Sequence, residues 1–120
     1  MIKKTLVLGA SLKPDRYSHI AIHKLVSNNV PVVAVGRAEG VVGGITIQKP
    51  FPQFDDIHTV TIYLSAKNQI SFYDYILGLK PVRVIFNPGS ENRAFGEMLE
   101  AAGVEVEYAC TLIMLSVHRY

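Results

Sequence analysis

Tryptophan is absent from this 120-residue chain, cysteine occurs once, at Cys110, and charge is sparse, with 12 Lys and Arg against 10 Asp and Glu. A lone cysteine excludes an internal disulfide framework and suits a reducing compartment, so a cytoplasmic location is expected. The net charge of +2 includes no basic run longer than Lys3-Lys4. Nucleic-acid binding usually takes a clustered basic face, so no nucleic-acid partner is expected. No window approaches the roughly 20 apolar residues of a membrane span, and the apolar run in "MIKKTLVLGAS" is too short for a signal peptide. No membrane association is expected either. The sequence also lacks a G-x-S-x-G elbow, a P-loop and paired carboxylates on one predicted face. Asp55-Asp56 fall in a loop.

What is present is apolar: 49% of residues are hydrophobic, enough for one core, and the length suits a single domain over residues 1–120. Strand-like and helix-like segments alternate. "TLVL" (5–8) reads as a buried strand, and Ala21, Ile22, Leu25 and Val26 recur at helical spacing over 17–27. "VVAV" (32–35) is a second strand, followed by a glycine-rich stretch with a small β-excursion around Ile45 and Ile47. "TVTIYL" (59–64) and "VRVIF" (82–86) are the third and fourth strands, with a helix over 68–79 between them. Residues 90–103 form the clearest helix: Ser90 is placed as its N-cap, Ala94, Phe95, Met98, Leu99 and Ala102 line one face, and Gly103 stops it. "VEVEY" (104–108) alternates like an edge strand. "TLIMLSV" fits strand or helix, with helix favoured, and leaves open whether it covers the sheet or packs in a homo-oligomer.

Strands alternating with helices, most of them continuously apolar, imply a parallel sheet covered on both faces. The expected fold is therefore α/β: a doubly wound, mostly parallel, five-stranded Rossmann-like sheet of order 3-2-1-4-5 in three α/β/α layers. In such sheets ligands sit outside the carboxyl ends of the strands where strand order reverses, here between strands one and four. "GASLKPDR" and "NPGSEN" are the loops expected to meet there.

Against the dinucleotide pattern G-x-G-x-x-G, Gly9 fills the first place, Ser11 the second and Pro14 the third. Ser11 still offers a hydroxyl and an amide to a phosphate oxygen. Pro14 lacks a donor and delays the helix start, and Lys13 and Arg16 stand beside the loop as cations. The second strand ends in "VGR", where NAD-binding domains place an acid. Arg37 suits a phosphorylated ribose, which NADP and coenzyme A (CoA) both carry. In "NPGS", Pro88 and Gly89 set a turn ahead of a helix N-terminus able to face an anion or a thioester carbonyl, chemistry that also serves any ordinary turn and cap.

"GASLKPDRYSH", "NPGSEN" and the late "CTLIML" resemble the small stand-alone CoA-binding protein family, similar to the CoA-binding domain of the succinyl-CoA synthetase α subunit. The resemblance implies CoA or acyl-CoA as the small-molecule nucleotide cofactor. Gly9, Ala10, Ser11, Lys13, Pro14 and Arg16 would surround its phosphates, and Val35, Gly36 and Arg37 would border the adenosine. Leu64, Ser65, Asn87, Pro88 and Gly89 would line the way to the pantetheine arm. Two departures stand out: "VGRA" replaces an Asn-Pro plus cation found in many members, and His58 replaces an aspartate. The phosphorylated histidine of the synthetases belongs to a second domain, so no catalytic residue carries over. The chain reads as a binder rather than an enzyme, the alternative being an NAD(P)-binding oxidoreductase or a redox-sensing domain.

Three further features invite chemistry and have plainer readings. His19 and His23 stand four apart on a predicted helix, a metal-binding spacing with no third ligand in view. Cys110 follows the last strand, where a thiol with a lowered pKa forms a mixed disulfide with CoA, but a buried inert cysteine is the plainer reading. Tyr63, Tyr73 and Tyr75 present rings that suit adenine and equally suit a core.

Overall fold

Residues Thr5–Ala10 (β1) are continuously apolar after Thr5, as a strand buried on both faces must be. In the computed structural model, which describes all 120 residues, β1 lies at the centre of a seven-stranded sheet. It pairs in parallel with Val32–Gly36 (β2) on one side and Thr59–Ile62 (β5) on the other. Beyond β5 come Arg83–Phe86 (β6) and then Glu105–Tyr108 (β7), both parallel. Beyond β2 lies the hairpin of Gly40–Val42 (β3) and Ile45–Gln48 (β4), with β4 parallel to β2 and β3 antiparallel at the edge. The full order is β3-β4-β2-β1-β5-β6-β7.

That order corrects the expected 3-2-1-4-5 arrangement of five strands, and the hairpin is the reason. β4 takes the open edge of β2, through Ala34 opposite Ile47 and Val35 opposite Gln48. The third sequence-predicted strand cannot add there and crosses to the free edge of β1. Every later strand builds outward from it. The reversal point therefore lies between β1 and β5, and β6 stands two strand spacings, roughly 10 Å, from β1.

The mostly parallel, Rossmann-like sheet is covered on both faces, because alternate residues of each strand point to opposite sides. Leu6, Leu8, Val60, Ile62, Val84 and Phe86 join Ile76, Phe95 and Leu99 in one core. These last three come from Tyr73–Leu79 (α3) and Arg93–Ala101 (α4). On the other face Val7, Ala34 and Ile47 meet Ile22 and Leu25 of Tyr17–Ser27 (α1) and Leu115 of Thr111–Ser116 (α5). "TLIMLSV" is thus a helix that covers its own sheet with Thr111, Met114 and Leu115 buried.

Two helices depart from their sequence-predicted form. The segment 68–79 is not continuous: Ala66–Gln69 (α2) passes through a 3-10 turn at Ile70–Phe72 before α3 starts. The break lets Gln69 turn inward, where it is fully buried. The helix over 90–103 begins at Arg93, and its cap is Asn92 instead of Ser90, with Asn92 Oδ1 accepting from the Phe95 amide at 3.0 Å. Gly103, at φ +84°, ends it as expected.

Candidate functional site

The chain leaves β1 through a left-handed Gly9, at φ +90°, and a break in the β1–β2 register between Leu8 and Ala10. A Cβ at Gly9 would lie 2.7 Å from the Tyr63 carbonyl oxygen, so this glycine lets the ends of β1 and β5 approach each other. Gly36 does the same between β2 and β1, since a Cβ there would collide with the Ala10 carbonyl. Both glycines shape the floor of the site. Ala10 and Val35 are buried beneath it and present no side chain to the surface.

Above that floor, residues 11–16 make few internal hydrogen bonds. The Lys13 amide donates to Ser11 Oγ at 3.1 Å, and the Arg16 amide donates to the Lys13 carbonyl at 3.1 Å. The amides of Ser11, Leu12 and Asp15 meet no acceptor in the chain, nor do those of Tyr17 and Ser18 in the first turn of α1. Arg16 stands at the N-cap position and supplies no capping hydrogen bond. The positive end of the α1 dipole is therefore open, beside the exposed cations Lys13 and Arg16. Unpaired amides at a helix N-terminus with cations alongside are an arrangement whose chemistry suits an anion. Arg37, also exposed, follows β2 at the same end of the sheet.

The neighbouring loop follows β5. Leu64 is half-buried, its side chain against Gly9, and Ser65 is exposed ahead of α2. The loop after β6 is built differently from the expectation. Asn87 is 1% exposed, and its side chain is fully engaged. Nδ2 donates to Thr61 Oγ1 at 2.7 Å and to the Ile62 carbonyl at 3.0 Å, while Oδ1 accepts from the Thr111 amide at 2.9 Å. Asn87 ties strands together and offers its side chain to no ligand. Pro88 and Gly89 are exposed, but the Gly89 amide donates to Glu91 Oε1 at 3.0 Å. Asn92 caps α4 through the Phe95 amide, while the amides of Glu91, Asn92, Arg93 and Ala94 meet no acceptor in the chain. Of the two N-termini assigned to anions from sequence, that of α1 is the one without a side-chain cap.

Several organising residues carry no motif. Gln69 Nε2 donates to the Leu64 and Ser90 carbonyls at 2.8 and 2.7 Å, and its Oε1 accepts from Asn92 at 3.0 Å. One buried amide thus fixes the loops after β5 and β6 against each other. The "N-x-x-F" spacing of Asn92 and Phe95 is a readable cap signal. Nothing near Gln69 marks it.

The remaining sequence-derived candidates are placed as follows. His19 Nδ1 donates to the Ser11 carbonyl at 3.0 Å, and its ring lies 5.0 Å from that of His23. Tyr73 stacks on Phe95 at 4.1 Å, and Tyr75 donates to the Pro52 carbonyl at 2.6 Å. Tyr63 points its hydroxyl inward without a partner, and burial pushes the phenol up to about 12. The nearby Thr61 and Thr111 hydroxyls pull the other way, but they bond each other at 2.8 Å. Cys110 is half-buried, follows β7 and precedes α5. His58 lies at the amino end of β5, opposite the loop after β1. Its departure from the family pattern leaves the site untouched. Two shallow depressions, of about 460 and 380 Å³, also lie at the amino ends of strands, one beside Val82 and Val104 and the other beside Lys3 and Tyr120.

A doubly wound, mostly parallel sheet with helices on both faces defines a Rossmann-like domain. The chain belongs to the CoA-binding domain family, whose model matches residues 3–116. Among solved structures it is similar to an uncharacterised protein, 45% identical over 100% of this chain and 99% of that one, with a TM-score of 0.96. A Thermus thermophilus protein, 20% identical over 99% of this chain and 91% of its own, shares the fold with a TM-score of 0.86. So does a hypothetical protein from Pyrococcus horikoshii OT3, 22% identical over 97% and 83%, also at 0.86. No curated protein matches the chain.

Proposed function

We propose that this protein binds coenzyme A or an acyl-CoA at the carboxyl end of β1, without catalysis of its own. One observation carries the reading: five amides, of Ser11, Leu12, Asp15, Tyr17 and Ser18, lie unpaired around an uncapped helix terminus, with Lys13 and Arg16 beside them. The diphosphate of CoA would accept from these amides and from the Ser11 hydroxyl, whose oxygen already accepts from Lys13. Gly9 and Ala10 hold the loop in place, and Pro14 keeps it from winding into α1 too early. Arg37 would meet the ribose phosphate, next to the Val35-Gly36 floor. Leu64, Ser65, Pro88 and Gly89 would border the pantetheine arm, with Asn87 bracing them from below.

A binding role rather than an enzymatic one is supported by where the perturbed groups lie. His58 and Tyr120 are at the amino ends of the strands, Tyr63 faces the interior, and Tyr75 bonds Pro52 beneath Phe51 and Phe72. The lone cysteine supports a reducing, cytoplasmic setting. No helix is long and apolar enough to cross a membrane. NADP also carries a phosphorylated ribose for Arg37, on the 2′ instead of the 3′ oxygen, and is the natural competitor. Isothermal titration with CoA, NADP and NAD tests the proposal: CoA binds most tightly, whereas a preference for NAD, or no CoA uptake at millimolar concentration, contradicts it.

A further inference from the structure

The least expected partner of the loop after β1 is a histidine. His19 sits in the first turns of α1, and a carbonyl oxygen only accepts, so the 3.0 Å contact between its Nδ1 and the Ser11 carbonyl requires a proton on Nδ1. The ring is braced from behind. His23 lies one helical turn on at 5.0 Å, and His23 in turn abuts the β3–β4 turn, where a Cβ at Gly43 would come within 3.2 Å of its Nδ1. The hairpin, two imidazoles in tilted contact and the loop after β1 thus form one contact chain.

In a trans peptide the carbonyl and the following N–H point in opposite directions. Fixing the Ser11 carbonyl on His19 therefore aims the Leu12 amide away from the ring, where no acceptor of the chain meets it. We infer that His19 is a positioning residue, presetting the Leu12 amide as an anion donor before any ligand arrives. The inference rests on the reading of this loop as a phosphate cradle. The benefit is preorganisation: a peptide already held needs no ordering on binding.

Three proteins test this: wild type, His19→Asn, whose amide nitrogen occupies the place of Nδ1, and His19→Leu, which keeps bulk and loses the donor. Isothermal titration with CoA is expected to show about a tenfold loss for H19L and a loss within about threefold for H19N. Wild-type affinity in H19L, or an H19N as weak as H19L, overturns the inference. Backbone 15N relaxation of the ligand-free proteins reads the same point without CoA. The Leu12 amide should be rigid in wild type and H19N, with an order parameter near the ~0.85 of ordered backbone, and clearly lower in H19L. An unchanged value in H19L also overturns it. A wild type that ignores CoA while the relaxation pattern holds defeats the coenzyme reading and leaves the positioning role in place. If H19L does not fold, His19→Gln replaces it, since its longer side chain carries the amide past the Nδ1 position.

Discussion

Asn87 and Thr111 are joined across the carboxyl end of the sheet, the Thr111 amide donating to Asn87 Oδ1 at 2.9 Å while the same Asn87 holds Thr61 and the Ile62 carbonyl through Nδ2. One buried side chain therefore links β6, β5 and the start of α5. Asn87→Ala takes the side-chain partner from the Ile62 carbonyl and the Thr111 amide and one of two partners from Thr61 Oγ1, and should cost about 2–3 kcal/mol. Urea denaturation checks it: the midpoint falls and the slope stays the same.

Gly9 and Ser11 separate folding from binding within one loop. Gly9→Ala puts a Cβ at φ +90° and 2.7 Å from the Tyr63 carbonyl, so it should destabilise by about 1–3 kcal/mol. Ser11→Ala removes a half-buried hydroxyl whose only internal partner is the Lys13 amide. It should change stability by less than about 1 kcal/mol and weaken CoA binding several-fold. Melting curves with and without CoA for both variants distinguish the two effects.

Lys13 and Arg16 are exposed, so their contribution is screened by salt. CoA affinity of the wild type should fall between about 0.05 and 0.3 M salt. Lys13→Ala with Arg16→Ala should bind more weakly and lose most of that salt dependence, as titrations at several salt concentrations would show. Equal salt slopes for the two proteins would remove both cations from the site.

His58 makes stability depend on pH. Burial first, then the charges of Arg83 and Lys3, hold its pKa below the usual 6.5, with Glu105 opposing. The folded state thus disfavours the protonated ring, and the unfolded chain takes up the proton at higher pH. Stability is complete above about pH 6.5 and declines as pH falls from there through the folded-state pKa. His58→Gln should flatten the melting temperature between about pH 7.5 and 5. An unaltered slope in that variant would assign the effect elsewhere.

The layers and element types were legible because strands such as "TLVL" and "TVTI" are continuously apolar or β-branched, and α1 and α4 keep a clean helical period. Strand order was not. It turns on whether the short segments around Val41 and Ile47 pair with β2, and a three-residue strand flanked by glycines says little about its neighbour. The first loop was readable from Gly9, Ser11, Pro14 and the two cations, each of a type suited to a bend that holds an anion. The second loop misled, since Ser90 and Asn92 both suit a cap and only three-dimensional packing selects Asn92. Gln69 and His19 act through backbone carbonyls outside their own helical turns, at Leu64, Ser90 and Ser11, and no residue pattern encodes such a contact.

The central claim is that the amides after β1 receive a phosphate, and an amide-resolved 1H–15N titration with CoA reads them one by one. The account predicts that Ser11, Leu12, Asp15, Tyr17 and Ser18 shift most and saturate together. Shifts confined to the amino ends of the strands, near Val82 or Lys3, or no shifts at millimolar CoA, would contradict it.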